Sequence, residues 1–357
     1  MCNNDLFTQI RYNNDENIFL KIFEKIIFIF FNLYFLKKRI LFLLNSKNAN
    51  FDFPSISLNL SLNIREKKLV NHNYLSEIVK RDFSLGQNLN LKKKYIQECE
   101  NIFKKDFDLT KEIICLHVRE NSYHNDTDRR DYRNSSIQNY KKLIHFFLNT
   151  GKFNVVRLGD DKMTKLKIDS QNFFDVPSSN TGSKLDLYFI KNCKFYIGCD
   201  SGPIDTAWLF NKPVFITNMY ALHTDSFPRG KFDRGILKKM FWKSTGQKIS
   251  IIDFAKLNFS YHNSEKSVHE IKFEENTEEE IYINGLEFYE NLEKKSYNLT
   301  VKQKNFNKIM IDDFYKYLIQ NKDDKNDLIN FFEAKKILEL CKYNKGSLSN
   351  NFLNKNL

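Results

Sequence analysis

From residue 113 onward, short continuous apolar runs alternate with amphipathic stretches at helical spacing. Ile113 to Val118 reads as an apolar strand, suited to a sheet covered on both faces. Ser135 or Ser136 then caps a predicted helix from about Ile137 to Asn149, and Gly151 ends it. Asn154 to Leu158 is a second strand closed by Gly159, and Phe173 to Val176 a short third. Ser183 is positioned to cap a helix carrying Leu185, Leu187, Tyr188 and Ile190, with Asp186 in its first turn. Phe195 to Gly198 is the next strand, Pro203 opens a helix at its first turn, and Pro213 to Thr217 is a strand again. This order predicts an α/β fold with a parallel, doubly wound sheet over about 111–260.

The flanks follow other rules. Ile18 to Leu44 is apolar but broken by Lys21, Glu24 and Lys25 at its start and by Lys37, Lys38 and Arg39 at its end. Its uninterrupted run, Ile26 to Leu36, is too short to span a bilayer. Two readings stay open: a packed helix, or an interfacial helix whose basic flank favours an anionic membrane surface. Phe53-Pro54-Ser55 reads as a turn. Tyr74 to Arg81 and Leu91 to Phe107 read as helices, the second with Tyr95, Ile96, Cys99, Ile102 and Phe103 on its apolar face. Residues 1–110 thus form a short N-terminal region, acceptor-side or membrane-proximal, without strand-helix rhythm. Past Asn218 a loop runs to Gly235. The acidic run Glu274 to Glu280 opens a helix capped by Thr277, with carboxylates at its positive end. Residues 270–345 are expected to be C-terminal helices packing back on the rest, and 346–357 a flexible tail.

Composition adjusts this picture little. The chain has 357 residues, 41% of them hydrophobic, which is enough for a sizeable core. The net charge of +12 would suit an anionic partner, but Lys and Asn are abundant everywhere, as in an AT-rich genome. No basic cluster with interleaved aromatics forms a nucleic-acid motif, so no nucleic-acid partner is expected. The six cysteines have no CxxC spacing and do not pair with the seven histidines at zinc-ligand spacing. They read as reduced thiols in a cytoplasmic protein.

The candidate chemistry lies at the carboxyl ends of the predicted strands, where open α/β sheets bind ligands. The first strand leads into His117, Arg119 and Glu120, then a long polar loop through His124, Arg129, Arg130 and Arg133. The second ends at Arg157-Leu158-Gly159-Asp160-Asp161, the fourth at Asp200-Ser201-Gly202-Pro203. In the last turn Gly202 allows close approach to the backbone, and the Ser201 hydroxyl and free N–H groups suit a phosphate. Alternatively Ser201 or Asp200 caps its own helix. Arg119 and Arg157 fit a diphosphate, because the guanidinium fork pairs two oxygens and stays charged. His117, Glu120 and Asp200 are the candidates for proton transfer. The adjacent Asp160 and Asp161 hint at a metal-dependent phosphatase, but neighbours on an extended chain point to opposite faces.

The ordered runs CLHVREN, NYKKLI, VVRLGD, LDLYFIKNCKFYIGCDSGP and AWLFNKPVFITN resemble bacterial glycosyltransferases of the GT-B type found in surface-polysaccharide gene clusters. The resemblance covers Ile113 to Phe227. More distantly, His117-Val118-Arg119 is similar to an O-fucosyltransferase-like pattern whose Arg contacts the nucleotide diphosphate. The resemblance implies two Rossmann-like domains with a cleft between them, inverting transfer from a nucleotide-sugar donor to a glycan or lipid-linked acceptor, and neither cofactor nor metal. Arg119 would hold the diphosphate, Ser201 and Gly202 phosphate at the helix start, and Gly159 and Asp160 would lie near the nucleoside; Arg157 and Asp200 join them as donor-binding candidates from their strand-end positions. The alternative is a non-catalytic nucleotide-binding or interaction module on the same scaffold.

Overall fold

The computed structural model describes residues 90–103, 108, 110–120, 132–179, 181–222, 227–256, 270–320 and 345–357. The expected helices at 18–44 and 74–81, the turn at 53–55 and the loop residues His124, Arg129 and Arg130 lie outside them.

Helix α1 (Lys93–Phe103) precedes strand β1 (Glu112–His117), which is buried from Ile113 on, as a run with no polar alternation requires. Ser136 caps the next turn by accepting from Gln138 N, and after a 3-10 turn helix α2 runs Lys141–Asn149. Strands β2 (Phe153–Arg157) and β3 (Phe173–Asp175) follow. Helix α3 (Asp186–Asn192) starts behind a 3-10 turn, with Leu185 at its cap and no side-chain cap bond. Then come β4 (Cys193–Cys199), α4 (Pro203–Leu209) and β5 (Val214–Met219). The short strand β6 (Arg234–Leu237) leads directly into β7 (Lys239–Trp242).

Seven strands form one sheet in the order β3-β2-β1-β4-β5-β6-β9, every pair parallel, where β9 is Ser347–Leu348. The order is Rossmann-like. It reverses between β1 and β4, since β1 continues outward to β2 and β4 outward to β5. Right-handed crossovers running in opposite directions place their helices on opposite faces. On one face α2 meets helix α6 (Glu278–Glu293). Phe147, Phe153, Phe195 and Tyr289 pack there edge to face, with centroids 5.4–6.0 Å apart for the Phe147–Tyr289, Phe147–Phe195 and Phe153–Phe195 pairs. On the other face α3 packs on β1 and β4 and against α4. Burying each of these aromatic rings contributes about 1.5–3 kcal/mol.

Thr277 caps α6 as expected, its hydroxyl accepting from Glu280 N while Glu280 accepts from Thr277 N. The expectation of helices from 270 on is corrected at its start, where β8 (Ile271–Glu274) pairs antiparallel with β7. Helix α5 (Ile251–Lys256) and helix α7 (Val301–Gln320) complete the set with α8 (Asn350–Asn356).

The expectation of a flexible tail at 346–357 is corrected. Strand β9 is the seventh strand of the sheet, pairing Ser347 and Leu348 with Arg234 and Gly235. Helix α8 buries Phe352 and Leu353. The Glu287 carboxylate accepts from Asn350 N and Asn351 N at 2.7 Å each, and Gln303 Nε2 donates to Leu348 O at 2.8 Å. The segment is polar overall, but Leu348, Phe352 and Leu353 reach the core, and borrowed side chains satisfy its backbone. No helix among the described residues is long and apolar enough to cross a membrane.

Candidate functional site

Strands β1 and β4 lie side by side with His117 in register with Gly198. A Cβ at Gly198 would stand 2.7 Å from the His117 carbonyl and 2.8 Å from the Tyr196 ring, so only glycine lets the two strand ends close up this way. Their chains then turn away from each other, and the sequence-predicted residues gather at that crevice.

His117 Nδ1 lies 3.0 Å from Ser201 Oγ, and the Ser201 hydroxyl donates to Cys199 O at 3.2 Å. In that arrangement Nδ1 carries the proton and donates to Ser201. Burial, and behind it the positive charges of Arg157 and Arg119, push His117 down to about 4. It is therefore neutral and weakly basic at physiological pH. Arg119 is buried, and its backbone N donates to Cys199 Sγ at 3.0 Å. Ser135 N donates to Arg119 O at 2.9 Å, folding the chain back over the strand end. Asp200 and Ser201 are both buried, and the Asp200 carbonyl accepts from Arg133 at 3.4 Å. No side chain caps α4, so the self-capping alternative for Ser201 and Asp200 is not what the structure shows. Gly202 has ordinary helical dihedrals, is exposed, and has nothing within 4 Å of its would-be Cβ. Its missing side chain is demanded neither by φ nor by packing.

Arg157 and Glu120 come together with each other rather than with Ser201. Arg157 is fully buried, 3.0 Å from Asp175 Oδ1 and 3.5 Å from Glu120 Oε1. It also donates to Thr164 O. Glu120 Oε2 accepts from Thr164 N at 2.7 Å, and Asp175 Oδ2 from Leu166 N at 3.0 Å and from the Ser178 hydroxyl. The fork of Arg157 is thus engaged by two carboxylates, and it reaches the crevice as a positive charge behind His117. Gly159 has φ 146, and a Cβ there would meet Met163 Sδ at 2.3 Å, so this glycine serves the turn itself. Asp160 closes the turn by accepting from Lys162 N at 2.9 Å.

Several residues of the crevice were not singled out by the sequence. Tyr196 lies fully buried on β4, its hydroxyl without a hydrogen bond. Asp186 opens α3 with Oδ1 buried and likewise unbonded; burial, and behind it the charge of Asp160, raises its carboxyl to about 7. Lys238, just beyond β6, is buried, donates from Nζ to Asn134 O at 2.5 Å, and is held below the usual amine range by that burial. Beside it Asn218 N donates to Asn276 Oδ1 and Asn276 N to Asn218 Oδ1, both at 2.7 Å, while Tyr140 bonds Thr217 and Asn218. Period-two alternation along β4 puts Tyr196 on the face of Gly198. That is the one sequence signal that marks it.

Among the described residues no group of three or more His, Cys, Asp or Glu side chains could hold a metal ion. No family model, curated protein or solved structure matches the chain.

Proposed function

We propose that the protein is a glycosyltransferase of the GT-B type. In this reading it moves a sugar from a nucleotide-sugar donor to a glycan or lipid-linked acceptor in surface-polysaccharide synthesis. The observation that carries the reading is the meeting of Arg119, His117, Ser201 and Asp200 where the strand order reverses. A sheet of this topology offers a ligand that crevice. Arg119 supplies the charge that a departing diphosphate needs, and neutral His117 with Ser201 supplies hydrogen bonds without competing for a proton. The open space over Gly202 lets phosphate oxygens approach the backbone. The ordered motifs between Ile113 and Phe227 narrow phosphate chemistry to sugar transfer. The acceptor-side half of such an enzyme, and the membrane surface that a lipid-linked acceptor implies, fall to residues outside those described.

The test is thermal stabilisation by GDP, UDP, ADP and CMP. A binder at a hundred times its Kd stabilises the fold by about 2.7 kcal/mol. No shift from any of the four at millimolar concentration sinks the reading. A metal-chelated repeat separates it from phosphatase chemistry, which would lose turnover on chelation.

A further inference from the structure

Residues 132–136 form a strap across the carboxyl ends of four neighbouring strands, β1, β4, β5 and β6. Ser135 N donates to Arg119 O beyond β1, Arg133 donates to Asp200 O beyond β4, and Lys238 Nζ donates to Asn134 O from beyond β6. The Tyr132 ring stands edge-on to Tyr220 beyond β5, with centroids 4.9 Å apart. Lys238 is anchored at its backbone, where its N donates to Met219 O at 2.8 Å. Its side chain is the anomaly. The residue is only 2% exposed, yet its ammonium, which has three N–H groups, makes a single hydrogen bond, to a neutral carbonyl. Among the described residues no carboxylate stands within ion-pair distance of it. Glu275, the acid whose charge acts on it, spends Oε2 on Ser136 N and Asn139 Nδ2. A charge taken out of water is normally paired, because an isolated one forfeits its hydration. Next to its carbonyl partner on the strap, Ser135 Oγ is also buried without a hydrogen bond. Lys238 Nζ and Arg119 O are joined through one peptide group, Asn134–Ser135, by a hydrogen bond on either side of it. Cys199, at the end of β4, accordingly feels the charges of both Lys238 and Arg119.

We propose that Lys238 and Ser135 form an anion subsite at this edge of the sheet, holding the ligand's diphosphate together with Arg119. For naming the anion a diphosphate, this rests on the sugar-transfer reading; the subsite itself does not. The ammonium brings two unspent N–H groups and Ser135 a hydroxyl, and charge-assisted bonds of this kind are the strong ones. A bound anion supplies the counter-charge that the protein withholds from Lys238. The rival role for Lys238 is a strut that holds the strap through Asn134 O. It accounts for one N–H of the three and leaves Ser135 Oγ unexplained.

The experiment compares the full chain as wild type, Ser135→Ala and Lys238→Met. Calorimetry measures affinity for inorganic pyrophosphate and for GDP, UDP and ADP, and thermal melts follow the unliganded fold. Ser135→Ala removes a hydroxyl that bonds nothing inside the protein, so its unliganded Tm should not fall. Its affinity for pyrophosphate and for the nucleotide that binds should drop roughly 10-fold. Lys238→Met replaces a buried, unpaired charge by an apolar chain of similar length, which should leave the unliganded Tm equal or higher. Its affinity for both ligands should drop roughly 10²-fold. Unchanged affinity in either variant overturns the subsite. So does a Lys238→Met chain that no longer folds, since Lys238 is then the strut. A wild type that binds pyrophosphate but no nucleotide sinks the sugar-transfer reading and leaves the subsite standing. Nucleotide binding that neither substitution weakens does the reverse, and a wild type that binds neither ligand overturns both.

Discussion

Two clusters sit at the carboxyl edge of one sheet and use the same kinds of residue to opposite ends. Beyond β2 and β3, Arg157 is closed in by Asp175, Glu120 and the Thr164 carbonyl, and the carboxylates in turn are satisfied by backbone N–H groups. Around β1 and β4, a neutral histidine, an unbonded tyrosine hydroxyl and, on α3, an unbonded carboxyl oxygen are buried. Both clusters hold buried atoms without a hydrogen bond, Arg157 Nε and Nη2 in the first, but the first pairs its charge with two carboxylates. A charge-paired network specifies the fold, whereas unspent polar capacity at a strand-order reversal is where a ligand gains most. Counting charged residues at strand ends does not separate the two. Asking what each charge already holds does.

The largest expected effect comes from breaking the charge-paired cluster. Arg157→Met strands Asp175 and Glu120 without their counter-charge. It should cost about 3–5 kcal/mol in urea unfolding. A loss below about 1 kcal/mol would mean that the cluster relaxes and that the contrast with the crevice is overdrawn.

The crevice should announce itself through pH instead. His117 has its folded value depressed to about 4, against about 6.5 when unfolded. Its contribution to stability is present above about pH 6.5 and lost as pH falls toward 4, by about 3 kcal/mol in all. Asp186 has its folded value raised to about 7, so its contribution runs the other way, present at low pH and lost as pH rises through 7. The two slopes oppose each other between pH 4 and 7. His117→Gln should therefore show stability climbing toward acid more than wild type does, and Asp186→Asn should show it falling more steeply. Parallel pH–stability curves for wild type and both variants, from denaturant titrations, would refute the under-satisfied picture.

Arg119 sharpens the comparison by its ligand dependence. Arg119→Ala should weaken nucleoside-diphosphate affinity by about 1.5–3 kcal/mol in calorimetry, the range for a charge-assisted contact. Arg157→Lys, where the fold survives, should weaken it less, because that side chain faces its own carboxylates. Equal losses from the two would place both guanidiniums on the ligand.

Much of this was legible in the sequence because burial on both faces writes itself as unbroken apolar runs. Ile113–Val118, Phe195–Gly198 and Pro213–Thr217 fall on β1, β4 and β5 to within a few residues. Strand β6 was hidden because it opens with Arg234 and Gly235, and Arg234 is buried only through its contacts in the fold. Strand β9 was hidden because two residues carry no period and the helix after it is mostly Asn. Among site residues, Arg119, His117, Asp200 and Ser201 could be read from strand ends alone. That Arg157 would meet Asp175 depends on pairing between β2 and β3, and that Asp186 would face Asp160 depends on where α3 crosses the sheet. Neither is local in sequence, so no motif records them.

Gly202 gives the smallest and most selective test. Its φ is −49, and its would-be Cβ meets nothing, so Gly202→Ala should raise stability by about 0.4–1 kcal/mol through the unfolded chain alone. The same methyl would project over the turn between Ser201 and Pro203, where the phosphate is proposed to lie. Thermal melts should therefore show a slightly higher Tm without ligand and a smaller ligand-induced shift than wild type. The Arg157 cluster has no position with this signature: a Cβ at its nearby glycine, Gly159, would strike Met163 and destabilise the fold outright. A Gly202→Ala protein that is more stable and binds nucleotide as well as wild type would show that the open space there is left over from packing rather than kept for a ligand.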